Sequence, residues 1–353
     1  MSDPGQPANA GHLKETNETA SAWLKRDGVV ALATVVGTWG SAPVPVGGQM
    51  AISRDGSIHG SVSGGCVEGE VIAEAEKILD SGKAAQLTFG VADQTAWGAG
   101  LPCGGEIQVY LERIATGDAA VEMLDRVAEA QDRRYGLVVA TNLSNGSRTI
   151  HVRGESGLDP EINRRFLTAK SDLVETEAGP MFYQAVVPPP RVVVIGATQI
   201  AQLVTQLARL AGYEIIIVDP RTAFASAERF PDVELHTNWP RDVLTTTGLD
   251  PYTGVVVVAH VNHIDDEALK IALASDAIYV GALGSRRNHQ NRIGRLKDAG
   301  LDPDAIARIK CPIGLDIGAQ SPAEIAIGIM AEVVRALRGA KYPDRAVEAG
   351  HDL

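Results

Sequence analysis

Cysteine is scarce in this sequence: Cys66, Cys103 and Cys311 are the only three in 353 residues. An odd number spread so far apart excludes a disulfide framework and suits a reducing compartment, so cytoplasmic residence is expected. No apolar run approaches the roughly 20 residues needed to span a bilayer. The start Met1-Ser2-Asp3-Pro4-Gly5-Gln6 lacks the apolar centre of a signal peptide, so no membrane partner is expected. Excess positive charge is missing as well. The formal charge of −12 argues against a nucleic-acid partner and is compatible with a small ligand or another protein.

What remains is the composition of an ordinary soluble globular chain, 45% hydrophobic and 22% charged, long enough for two or three domains. Residues 1–11 carry no hydrophobic period and are expected to be disordered. The spacing of Leu13, Ala20, Trp23 and Leu24 predicts an amphipathic helix that Gly28 ends. Strands are predicted over 29–36, 49–53 and 57–63, the last two joined through Arg54-Asp55-Gly56, a hairpin signal. A helix over 67–81 follows, then strands over 86–91 and 106–114 around the Gly-rich loop 97–105. A helix from about 118 and strands over 135–140 and 148–152 complete an N-terminal α+β domain, residues 12–187.

Pro188-Pro189-Pro190 reads as a stiff linker, because the pattern after it changes to alternating strand and helix. Continuous apolar strands over 192–196, 214–219, 233–237, 254–260 and 277–283 predict a Rossmann-like doubly wound parallel sheet over 191–340, with residues 341–353 as a tail. The fold class is therefore α/β. The last helix is predicted to start at Ser321-Pro322-Ala323-Glu324, a capping box with proline at the first helical position.

Two glycine-framed segments carry candidate chemistry. The first is Gly64-Gly65-Cys66-Val67-Glu68-Gly69, where amides at a helix start favour an anion and give the Cys66 thiol a reason to ionise. A thiolate there is a nucleophile and a soft metal ligand. The other reading is a small residue ending a strand against the core. The second segment opens the Rossmann-like part at Gly196-Ala197-Thr198, with Asp219 closing the next strand where a ribose-binding acid is expected. Only one of the three fingerprint glycines is present. Thr198 puts a β-branched side chain where backbone should meet pyrophosphate, so NAD(P) is expected to bind weakly if at all, and Asp219 serves equally as a turn cap before Pro220.

Further along, His260 and His263 with Asp265 and Asp266 have the residue types for a metal, while Asp265 is equally a helix N-cap. Gly284 and Ser285, with Arg286 and Arg287 opening a helix, form a candidate phosphate site or an ordinary turn with solvated arginines. Cys311, before Pro312, reads as packing in an apolar strand.

Taken together, Gly37-Thr38-Trp39-Gly40-Ser41-Ala42-Pro43, Gly47-Gly48-Gln49-Met50, the segment 60–70, Cys103-Gly104-Gly105, the segment 280–287 and Pro312 to Ala319 resemble the xanthine dehydrogenase accessory protein family, XdhC/CoxI. The likeness runs from about residue 13 to 338. It implies a non-catalytic chaperone that binds the molybdenum cofactor (molybdopterin) transiently. Its implied partners are a cysteine desulfurase that sulfurates the cofactor and a molybdenum hydroxylase client that receives it; a homodimer is left open. The resemblance implies Cys66 as metal ligand or sulfur-handling residue, Gly64, Gly65 and Glu68 beside it, and Cys103 and Gly104 as a second contact. The competing reading from the residues is an NAD(P)-dependent oxidoreductase using the crevice at Gly196 and Asp219.

Overall fold

Alternation of apolar side chains decides the layers of this protein. Its computed structural model describes residues 10–40, 42–90 and 105–338, and the chain divides into two compact units, Met1–Pro189 and Pro190–Leu353.

The first unit begins with helix α1 (Ala10–Asp27), which starts inside the segment expected to be disordered; residues 1–9 lie outside the described part. Strands β1 (Val29–Trp39), β2 (Gln49–Ile52), β3 (Ile58–Gly60), β4 (Ala85–Phe89) and β5 (Glu106–Ala115) form an antiparallel sheet in the order β3-β2-β1-β5-β4. Successive β1 residues point to opposite faces. Ala31, Ala33 and Val35 pack with Val71, Ala75, Ile78 and Leu79 of helix α2 (Glu68–Ser81). Val30 and Leu32 pack instead with Leu13, Ala20 and Leu24 of α1 and with Met123, Leu124 and Val127 of helix α3 (Ala119–Asp132). Both faces are covered, which is why β1 reads as an unbroken apolar run. Each large side chain so buried contributes about 1.5–3 kcal/mol.

A second antiparallel sheet contains β6 (Leu137–Asn142), β7 (Arg148–Val152), β8 (Asp172–Thr176) and β9 (Gly179–Val186) in the order β7-β6-β9-β8, with helix α4 (Pro160–Thr168) against it. The β8–β9 hairpin and α4 are additions to the sequence reading. Another difference is that Ser61-Val62-Ser63 is not strand: β3 stops at Gly60, where a side chain would place its Cβ 2.3 Å from the Gln49 carbonyl oxygen.

The second unit is a parallel sheet of β10 (Arg191–Ile195), β11 (Glu214–Val218), β12 (Glu234–His236), β13 (Thr253–Val257), β14 (Tyr279–Ala282) and β15 (Ile309–Lys310). Its order, β12-β11-β10-β13-β14-β15, reverses direction between β10 and β13, the doubly wound topology that places a crevice at the carboxyl ends of those two strands. Val193 and Ile195 face helices α6 (Pro240–Thr247), α7 (Asn262–Leu273) and α8 (Arg286–Asp298). Val192 and Val194 face α5 (Gln199–Leu210) and α10 (Pro322–Arg338). The short helix α9 (Pro303–Ala307) leads into β15. At the start of α10, Glu324 accepts the amides of Gln320 and Ser321, and Ser321 accepts the amide of Glu324, which is the capping box read from the sequence. None of the described helices is long and apolar enough to cross a membrane.

Candidate functional site

Strand register brings the motifs of the first unit to one end of its sheet. Thr34 pairs with Gln49, Met50 with Gly60, Trp39 with Glu106 and Phe89 with Ile107. The carboxyl ends of β1, β3 and β4 therefore lie at the same edge as the amino ends of β2 and β5. The chain from Gly40 to Gly48 and the Cys66 loop both start there. Cys103 and Gly104, between Gly90 and Gly105, lie outside the described residues. Trp39 is 74% exposed at this edge, and Gly64 sits so close to Pro43 that a Cβ would come within 3.3 Å of it.

The Cys66 loop is organised by one carboxylate. Glu68 is the first residue of α2, and its side chain turns back over the loop. One oxygen, Oε1, accepts the Ser61 hydroxyl at 2.6 Å and the amides of Ser63 and Val62 at 2.9 and 3.3 Å. The other, Oε2, accepts the Ser63 hydroxyl and the amides of Gly65 and Val67, the last two at 2.9 and 3.2 Å. Burial alone would raise this carboxyl; the convergent donors outweigh it and bring the pKa down to about 2. Gly64 and Gly65 make the reversal possible at φ +78° and +113°.

Cys66 is half-buried against the α2 side of the sheet core, and its amide donates to the Ser63 hydroxyl at 2.9 Å. The helix begins at Glu68, one residue later than read, with Val67 as cap, so Cys66 lies between the glycine pair and the helix as the sequence placed it. The glycine amides, however, are not open to a ligand phosphate, because Gly64 donates to Ser61 and Gly65 to Glu68. Glu68 itself, expected to contact the cofactor, is filled by its own loop.

In the second unit, Gly196 has φ +106°, and a Cβ there would lie 2.4 Å from the Cα of Ala259, so this glycine lets two backbones meet. Thr198 caps α5 by accepting the amide of Ala201. Asp219 is fully buried and does not wait for a ribose. Its carboxylate accepts the Ala197 amide at 2.7 Å and the Arg221 amide at 2.9 Å, and holds the Arg221 guanidinium at 2.7 and 2.9 Å. Burial pushes its pKa up, and these bonds bring it below the ordinary value.

The histidine cluster does not assemble either. His260 and His263 are exposed, the latter with its ring tilted against that of Trp239, centroids 5.7 Å apart. Asp265 is not the N-cap of α7; that place is taken by Val261, and Asp265 is buried in the first turn, 3.6 Å from Arg292. Asp266 pairs with Arg295. Among the described residues no group of three or more His, Cys, Asp or Glu is arranged to hold a metal ion. Gly284, at φ +154°, precedes Ser285, which caps α8 by accepting the Asn288 amide, and Arg286 and Arg287 are exposed in the first turn.

Two family models match the chain: the XdhC and CoxI family over residues 23–90, and the XdhC Rossmann domain over residues 192–333. Together they cover more than half of it. The chain belongs to the XdhC and CoxI family. Among its relatives in this family, a Bacillus subtilis (strain 168) protein named as a probable xanthine dehydrogenase subunit is 28% identical over 316 residues, covering 86% of this chain and 92% of the relative. An Escherichia coli (strain K12) protein named molybdenum cofactor insertion chaperone PaoD is 26% identical over 305 residues, covering 86% of this chain and 81% of its own length. A crystal structure from Bacillus halodurans described as a xanthine dehydrogenase has a TM-score of 0.55 at 25% identity, covering 94% of this chain and 98% of that one.

Within the family frame, several polar residues of the sites went unread in the sequence. Ser61 and Ser63 line the Glu68 carboxylate; their spacing before Gly64-Gly65 was a local turn signal. Arg221 follows Asp219 by two residues and could have been paired with it. Arg292 had no such signal, because it reaches Asp265, the Leu283 carbonyl and the Cys311 sulfur from a different helix. Cys311 packs against the core of the parallel sheet, as expected, but from outside the strand. It lies just past β15, its thiol donates to the Gly284 carbonyl at 3.4 Å, and burial pushes its pKa up against the pull of Arg292.

Proposed function

We propose that this protein is a molybdenum-cofactor chaperone serving an enzyme of the xanthine dehydrogenase type, with Cys66 as the residue that meets the cofactor. The observation that carries this reading is the Cys66 loop: a half-buried thiol on a glycine reversal held in one shape, at the sheet edge that also presents Trp39. The names of the B. subtilis and E. coli relatives support the assignment of cargo and client. A thiolate suits molybdenum as a soft ligand. A half-buried position limits access by bulk oxidants while leaving one side of the sulfur for cargo.

The finer steps belong to the same proposal. The cofactor is held while a cysteine desulfurase supplies sulfur, then passes to the cytoplasmic molybdenum hydroxylase client. In the second unit, Gly284, Ser285 and Arg286 form a corner suited to a phosphate: backbone amides at a helix start with an exposed guanidinium. The NAD(P) oxidoreductase reading has less support, since Asp219 and the turn at Gly196 are engaged by Arg221 and Ala259.

The test is purification of the full chain from cells that make molybdenum cofactor, followed by metal analysis and fluorescence of the oxidised pterin. Wild-type protein is expected to carry both signals. Cys66→Ser is expected to keep the fold and lose roughly 10–100-fold in retention, the scale on which metal sites respond to a lost contact. Wild-type retention by Cys66→Ser would overturn the assignment of Cys66, and no pterin on wild type would overturn the function.

A further inference from the structure

We infer that Glu68 is a positioning residue: it acts as the internal anion of the Cys66 loop, fixing the backbone that carries the thiol, and does not itself touch the cargo. The inference rests on the proposed function for what the thiol is used for, but not for how the loop is built.

Three features of the loop carry it. An ionised carboxylate has about four lone-pair directions, and Glu68 receives two hydroxyls and four amides, so no acceptor capacity is left for a ligand. Every one of these donors is neutral, so the carboxylate is held by oriented dipoles, as an external anion would be in a nest of amides. The connection also reaches Cys66. The Ser63 hydroxyl donates to Glu68 and in turn accepts the amides of Cys66 and Val67 at 2.9 and 3.0 Å, and Ser63 is fully buried. A chain of polarised bonds thus runs from the carboxylate through Ser63 to the backbone of the reactive residue.

Glutamine at this position has nearly the same shape but replaces one acceptor oxygen with an NH2 group. That group would face the donors on its side of the loop. The loop should then open more often, although the core positions of α2, Val71, Ala75 and Ile78, are untouched.

The experiment measures alkylation of Cys66 by iodoacetamide in the full-length protein, with the labelled peptide identified by mass so that Cys103 and Cys311 are counted separately. Circular dichroism checks the fold. Glu68→Gln and Glu68→Ala are expected to keep native helix content and to be alkylated at Cys66 roughly tenfold faster, as local opening exposes a half-buried thiol. Added acetate should slow Glu68→Ala back toward wild type by filling the vacated nest, and chloride at equal ionic strength should not. Ser63→Ala, which leaves the charge in place and removes the relay, should act in the same direction with a smaller effect, and it serves as the test if the Glu68 variants fail to fold.

Wild-type alkylation rates in the folded variants would overturn the inference. So would acetate having no effect on Glu68→Ala, or loss of pterin from Glu68→Gln with unchanged Cys66 reactivity, which would place Glu68 on the cargo. Because alkylation needs no cofactor, a wild type that carries no pterin would overturn the proposed function and leave this inference standing or falling on its own readout.

Discussion

Glu68 in the first unit and Asp219 in the second both fold back onto backbone amides beside a glycine turn, yet they are stabilised differently. Glu68 is half-buried and held by hydroxyls and amides alone, whereas Asp219 is fully buried and adds the guanidinium of Arg221. Dipoles suffice where water still reaches the carboxylate. A fully desolvated carboxylate needs a counter-charge, since removing it from water costs several kcal/mol. The comparison separates a loop that can be loosened without unfolding its domain from a turn that belongs to the core, and in this protein the Cys66 thiol is on the first kind.

The largest effect should come from breaking the buried member. Asp219→Ala strands Arg221 and the Ala197 amide, and should lower the stability of the second unit by about 3–5 kcal/mol, read as a shift in its urea midpoint. Glu68→Ala should shift the first unit by less, about 0.5–2 kcal/mol, the scale for losing a side chain that satisfies backbone amides beside a helix start. Equal losses would erase the distinction.

A third carboxylate sharpens it through pH. Burial raises Asp265 more than Arg292 lowers it, to about 6 against an ordinary 3.8. Between those values the folded protein holds a proton that the unfolded chain has released. Asp265 therefore makes stability fall as pH rises from about 4 to 6, by about 2–3 kcal/mol in all, since each tenfold change in proton affinity is worth about 1.4 kcal/mol. Glu68 has the opposite sign: its contribution is complete above the unfolded value of 4.5 and is lost as pH falls toward 2. Urea midpoints across this range should slope downward in wild type for the second unit's transition and flatten in Asp265→Asn. An unchanged slope would mean that Asp265 is ionised throughout.

A last pair of variants compares the glycines. Gly196→Ala forces a Cβ against the Ala259 backbone at φ +106° and should cost about 1–3 kcal/mol. Gly65→Ala has the conformational strain, at φ +113°, but nothing within 4 Å of the new Cβ, and should cost about 1 kcal/mol. Thermal unfolding of the two variants checks the order, and a larger loss at Gly65 would reverse the argument about close approach.

Most elements of both units could be read from the chain because they depend on local periodicity; α4 and the β8–β9 hairpin could not. Unbroken apolar runs such as Val192 to Ile195 marked strands buried on both faces, Asp55-Gly56 marked a hairpin, and Ser321 to Glu324 marked a helix start. The sequence by itself also placed Cys66 between a glycine pair and a helix, and this much of the candidate site needed no structure. What the carboxylates do was decided only by the tertiary structure. Asp265 meets an arginine from another helix, Gly196 meets Ala259 across two parallel strands, and the Cys66 loop lies beside Pro43 because of how β1, β2 and β3 pair. Local spacing determines which way a side chain leaves its own element, but a desolvated polar group takes its partner from whatever distant segment the packed core brings within hydrogen-bond reach.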